Sequence, residues 1–122
     1  MENINSLSPS VLAFVGDAVY GLLVRTHIAA INRPSKDLHA LSVTYVNAEA
    51  QAKAYKKIEP LLDEKEQEIF RRGRNFHTNS APKSASLGDY HTATGLECLF
   101  GFLYLSGSQE RMDELFAAII GE

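Results

Sequence analysis

Cysteine is almost absent. Cys98 is the one thiol in 122 residues, so no intrachain disulfide can form, and its place in an apolar run marks it as a small buried side chain. That usage fits a reducing compartment, and a cytoplasmic protein is expected. The N-terminus, MENINSLSPS, lacks a basic start followed by an apolar core, so no secretory leader is expected. The two most apolar runs are expected to be too short and too interrupted to span a bilayer, which points to a soluble protein with no membrane partner. Histidine and cysteine never pair at metal-ligand spacing: His27, His39, His77 and His91 are scattered, which excludes a zinc-type site built from soft ligands. Convincing strand alternation, hairpin dipeptides and internal repeats are missing too. Finally, there is no excess of positive charge. The net charge is −3, so a surface that coats nucleic acid everywhere is excluded, and a polyanion partner would need a local basic patch.

What remains is 45% hydrophobic, enough for a single domain over residues 1–122 with a real core. Ser8-Pro9 reads as an N-cap and first helical residue, with helix continuing to about Ile31 before NRPS stops it. Ser35 is expected to cap a second helix carrying Leu38, Leu41 and Val43, and Asn47 an alanine-rich third that Pro60 ends. Asp63 and Glu66 form a capping-box pattern ahead of EIFRR, a helix with acids first and arginines last, ending near Gly73. Residues 74–88 carry no hydrophobic period and read as a long loop. Asp89 is expected to cap a helix to Ser106, and Ser108 a last one with Met112, Leu115, Phe116 and Ile119 at helical spacing. The fold class expected is all-α, about six helices packed on one another.

Two of these helices share an oddity. Val11 to Val24 is apolar or small except for Asp17, and Ala93 to Leu105 is apolar or small almost throughout, with Glu97 its one charged residue. A helix apolar on most sides is buried on most sides, so both carboxylates are expected away from bulk water. Each stands in a row of small residues, Ala13 and Gly21 around Asp17, Ala93 and Gly101 around Glu97, which lets two helices approach closely. Either each acid pairs with an Arg or Lys from elsewhere, or takes up a proton, or the two share a cation. Carboxylate oxygens suit a hard ion, Mg2+ or Mn2+.

The sought basic patch lies at Ile69 to Gly88, which has no acid but has Arg71, Arg72, Arg74 and Lys83, interleaved with Asn75, His77, Thr78, Asn79 and Ser80. Arginines give bidentate phosphate contacts, and the polar residues suit ribose hydroxyls. The competing reading is that Arg71 and Arg72 merely favour a helix C-terminus.

AFVGDAVYGLLVR resembles the signature helix of ribonuclease III domains, and GLECLFGFLYLSG their second acidic helix. The order of RRGRN, APK and DYHTATG between them is similar to the Mini-ribonuclease III group, and the resemblance covers nearly the whole chain. It implies a dimeric all-α endonuclease that hydrolyses double-stranded RNA with magnesium, leaving 5′-phosphate and 3′-hydroxyl ends, with Asp17 and Glu97 as catalytic metal ligands. It further implies a role in maturation of large-subunit ribosomal RNA. The larger relatives have additional acids where this chain has Ser10, Ala13 and Thr94, and a separate double-stranded RNA-binding domain that is not expected here. The basic segment, with Arg71, Arg72, Arg74, Asn75, His77 and Lys83, would then bind the RNA. The homodimer is expected independently, because the first acidic helix has too little polar surface to face solvent. The alternative is a non-catalytic RNA-binding or ribosome-associated helical dimer whose metal site has decayed.

Overall fold

The computed structural model describes residues 3–76 and 86–121. Six α-helices follow one another: α1 (Pro9–Ala29), α2 (Ser35–Val46), α3 (Ala48–Ile58), α4 (Glu64–Arg74), α5 (Leu87–Leu105) and α6 (Gln109–Ile119). Short 3-10 turns, Ile4–Ser6 and Glu59–Leu61, precede α1 and follow α3. No strand occurs among the described residues, as the sequence predicts.

The helix starts follow local chemistry. Ser8 caps α1 by accepting from the Val11 N–H at 3.2 Å, with Pro9 at the first helical position. Asn47 Oδ1 accepts from Ala50 N–H at 2.8 Å, and Asp63 and Glu66 form the complete capping box of α4. Two starts differ from expectation. Ser35 is the first residue of α2, and Pro34 precedes it in extended conformation, accepting from Asp37 and Leu38 N–H through its carbonyl. On α5 the cap is Ser86, whose hydroxyl accepts from the backbone of Asp89. Asp89 thus lies inside the first turn, where a carboxylate favours the dipole without capping.

Helix α5 is the axis of the molecule, with Leu96, Cys98, Leu99 and Phe100 wholly buried and α1, α3, α4 and α6 packed around it. Tyr20 of α1 meets Phe100 edge-on at 5.2 Å and Phe116 of α6 at 5.8 Å. Cys98 is the buried thiol expected, donating to the Pro9 carbonyl. Helix α2 is a thin cover on α1: its buried residue is Ser42, while Val43 is exposed. An ion pair ties α6 to the start of α4, Arg111 Nε and Nη2 reaching both oxygens of buried Glu66 at 2.8 Å. The Arg111 guanidinium and the Asp63 backbone N–H hold that carboxyl below its usual range.

Helix α1 corrects two expectations. At 21 residues with mean hydropathy 1.4 it is long and apolar enough to cross a membrane, contrary to the expectation that its run is too short. Here its inward face, with Leu12, Tyr20, Val24 and Ile28, is buried in the core. Nor is it buried on most sides: Phe14 is 78% and Leu22 64% exposed, because α5, α4 and α2 leave one flank of α1 bare.

Candidate active site

Helices α1 and α5 cross with almost no space between their backbones. A Cβ built on Gly16 would collide with the Glu97 carbonyl oxygen and come within 2.9 Å of Gly101 N; one on Gly101 would collide with the Leu12 carbonyl oxygen. The small residues do bring the two acidic helices together, but on α1 the seam is the Leu12–Gly16 row, whereas Gly21 has open space beside it. Since Gly16 occupies the seam, Asp17, one step round the helix, emerges at its rim. That is why Asp17 is exposed rather than buried as its apolar neighbours predict. Glu97, on the Glu97–Gly101 row that does form the seam, is half-buried.

The Asp17 and Glu97 carboxyl groups are close neighbours, and the Gln51 amide of α3 lies near the Glu97 carboxyl. Burial, and next the charge of Asp17, push the Glu97 carboxyl up to about 8, while the Gln51 amide pulls it the other way. Burial and the neighbouring Asp17 charge thus favour the protonated form of Glu97 when no cation is bound. Among the described residues the ion pairs join Glu49 to Lys53, Lys65 to Glu68, and Arg111 to Glu66 and Glu114; none involves Asp17 or Glu97. Among the described residues, pairing with Arg or Lys therefore drops out of the readings open to the sequence, leaving a proton or a cation between the acids.

The donor set is two carboxylates, hard oxygen ligands, which fits Mg2+ or Mn2+. Among the described residues no three His, Cys, Asp or Glu side chains cluster. Ser10 is exposed, and Thr94 donates its hydroxyl to the Tyr90 carbonyl of its own helix at 3.0 Å, so neither takes the place of a missing acid.

Two neighbours of the pair were not singled out by sequence reasoning. Gln51 is 2% exposed; its signal was its spacing with Ala54 and Ile58 on the buried stripe of an alanine-rich helix. Arg25, two turns along α1 from Asp17, lines with Asp17, Gly21 and Ser42 a cleft of about 360 Å3. It also lines, with Lys36 and His39, a neighbouring cleft of about 690 Å3. A second basic rim thus lies on the Asp17 side, too scattered in sequence to read as a patch.

The expected basic segment is partly in view. A Cβ on Gly73 would lie 2.6 Å from Cys98 Sγ and 3.0 Å from Gly95 Cα, which sets the C-terminal turn of α4 against α5 at the level of Glu97. On that turn Arg71 is exposed. Arg74 is exposed, its guanidinium 5.9 Å from the Phe70 ring centre and its Nε donating to Asn75 Oδ1. Arg72 is half-buried and donates to the Leu7 carbonyl at 3.1 Å, tying the N-terminal segment down. Asn75 caps the end of α4. His77 and Lys83 lie outside the described residues.

The chain matches the Ribonuclease III domain over residues 10–108. It is similar to Mini-ribonuclease 3 of Thermoanaerobacter sp. (strain X514), 50% identical over 115 residues, covering 93% of this chain and 81% of the relative. It is likewise similar to Mini-ribonuclease 3 of Brevibacillus brevis, 43% identical, covering 97% and 92%. A crystal structure of a protein from Fusobacterium nucleatum superposes over the full length of both chains with TM-score 0.90 at 30% identity. With the two acidic helices falling inside the matched region, the chain belongs to the ribonuclease III family, in its Mini-ribonuclease 3 group, and is an endoribonuclease.

Proposed function

We propose that the protein is a divalent-metal-dependent endonuclease of double-stranded RNA, with Asp17 and Glu97 as the catalytic ligands of Mg2+ or Mn2+. The observation that carries this reading is two neighbouring carboxyl groups with no cationic side chain among the described residues paired to either. Bringing like charges together is unfavourable unless a proton or cation lies between them. When bound, a hard divalent ion supplies an acidified water and stabilises charge on the phosphate, leaving 5′-phosphate and 3′-hydroxyl ends. The chain's own residues hold and orient: Asp17 at the rim faces an incoming phosphodiester, Glu97 lies behind it, and the Gly16–Gly101 seam fixes their spacing. Arg25 on one side and Arg71 and Arg74 on the other meet the RNA backbone, which in A-form is recognised by phosphates, shape and 2′-hydroxyls.

A homodimer completes the reading. Val11, Phe14, Ala18 and Leu22 form an exposed apolar stripe along α1, beside Asp17, and a second copy covers it. Two-fold symmetry then sets two sites against the two strands of one duplex. The substrate is the duplex of a large-subunit ribosomal RNA precursor, met in the cytoplasm.

The test is incubation of the protein with long double-stranded RNA in magnesium, in manganese and in chelator. Cleavage with either metal and none in chelator is expected. Retention of RNA without cleavage in any condition would overturn the reading in favour of a non-catalytic RNA-binding dimer.

A further inference from the structure

We propose that the cleft between α1 and α2 is a phosphate subsite for the RNA strand, a basic track leading away from Asp17, with Arg25 and Lys36 as its cations and His39 as a hydrogen-bonding side chain. This rests on the RNA-binding part of the reading given above.

Helix α2 does not close on α1. The α2 positions that line the space between them include Ser35, Leu38, His39 and Ser42, at the spacing of one helix face. Three of these four side chains are polar and gain little from dry contact, so α2 stands off and a cleft of about 690 Å3 stays open. Buried Ile28 lines it, together with exposed Arg25 from α1 and exposed Lys36 and His39 from α2.

Charge singles this cleft out. The chain carries a net charge of −3, yet no acidic residue lines the cleft, and Asp37, next to Lys36 in sequence, is not part of its wall. Elsewhere the exposed lysines Lys53 and Lys65 pair with acids one helical turn away. Arg25 and Lys36 have no acid three or four residues away on their helices, and among the described residues neither forms an ion pair. A cleft walled by unneutralised charge of one sign concentrates the opposite charge within it.

Position gives that charge its partner. Arg25 and Ser42 also line the smaller cleft that contains Asp17, so the two clefts meet there. Asp17, Gly21 and Arg25 are spaced four residues apart on one face of α1, about 12 Å from first to last, and Gly21 leaves open space between the other two. A small free anion would occupy one end of this row. A strand with phosphates at regular intervals can hold one phosphodiester at Asp17 while another, a few nucleotides along, meets Arg25 and Lys36. The Arg25 guanidinium suits the phosphate oxygens as a bidentate donor, and the Lys36 ammonium as a point charge.

The test is binding of double-stranded RNA in chelator, as a function of salt, to the parent, to Arg25→Ala with Lys36→Ala, and to Lys53→Ala as a control outside both clefts. The double variant should keep the Tm of the parent, weaken binding alike for duplexes of different sequence, and lower the salt slope by about two. Lys53→Ala should leave the slope unchanged. Should the double variant fail to fold, Lys36→Ala alone should lower the slope by about one. A scan with duplexes carrying one uncharged methylphosphonate linkage locates the contact: the parent should lose affinity when that linkage lies a few nucleotides from the cut, and the double variant should not respond to it. Calorimetry with inorganic phosphate and with a mononucleotide should show no saturable binding. An unchanged slope in the double variant, an equal fall in Lys53→Ala, or tight binding of phosphate alone would overturn the subsite. If the parent binds duplex RNA without cleaving it, the nuclease reading falls while the salt slopes still decide the subsite; if the parent binds no duplex RNA, both fall.

Discussion

Replacing Glu97 by Gln should make the metal-free protein more stable, and increasingly so as pH rises. The substitution imitates the protonated acid: its amide can donate toward Asp17 and its carbonyl can accept, so the shape of the site survives while the titration is removed. In the folded parent the Glu97 carboxyl is pushed from its ordinary 4.5 up to about 8. Between those two values the folded state binds a proton that the unfolded chain has released, so stability falls with rising pH across that window. Below about pH 4.5 the effect vanishes, and above about pH 8 it is complete. At about 1.36 kcal/mol per pH unit the full effect is at most about 5 kcal/mol. Water reaches part of this half-buried group, and screening reduces the figure to about 2 kcal/mol by pH 8. Urea unfolding followed by circular dichroism, in chelator at pH 5 and pH 8, reads the difference directly. Near-equal stability at pH 5 and an advantage for Glu97→Gln of about 2 kcal/mol at pH 8 are expected. Adding magnesium should then stabilise the parent and not the variant, since only the parent binds the ion in its folded form. A variant less stable than the parent at pH 8, or an advantage that does not grow with pH, would refute the reasoning, because it would mean that Glu97 is held ionised by some cation of the protein itself.

Three further perturbations test other parts of the structure. Gly16→Ala drives a Cβ into backbone atoms of Glu97 and Gly101 that cannot rotate away, so thermal unfolding should show a loss of about 3 kcal/mol, the upper end of overpacking, together with loss of cleavage; a fully stable, active variant would show that the helices need not approach so closely. Arg71→Ala with Arg74→Ala should leave Tm unchanged and lower the salt dependence of RNA binding by about one to two ions released, whereas Arg72→Ala should lose about 1 kcal/mol of stability with its bond to the Leu7 carbonyl; an unchanged salt slope in the first would remove these arginines from the RNA interface. If a second copy covers α1 as proposed, Phe14→Arg should convert the proposed dimer to a monomer in sedimentation at micromolar concentration without lowering the stability of the single chain, since Phe14 is 78% exposed there; a persisting dimer would place the interface elsewhere.

Much of this molecule is written locally. Ser8-Pro9, Asn47 and the Asp63–Glu66 box set three helix starts because a cap is a contact over three residues, and the buried stripe Met112, Leu115, Phe116 and Ile119 of α6 follows from periodicity alone. The two lone acids in apolar helices were conspicuous for the same reason. Other features depended on which faces of the helices meet. Asp17 and Glu97 sit in near-identical sequence surroundings, yet one is exposed and the other half-buried, because the seam between α1 and α5 runs through Gly16 and not through Asp17's own row. Arg72 reads as one of three equivalent arginines until the chain folds Leu7 beneath it. Gln51 looks like one polar residue on an alanine-rich helix, and it is buried near Glu97 only because α3 packs on α5. A sequence carries periodicity and caps, which are properties of neighbours along the chain; exposure and the meeting of side chains from different helices arise between residues dozens apart, and only packing determines them.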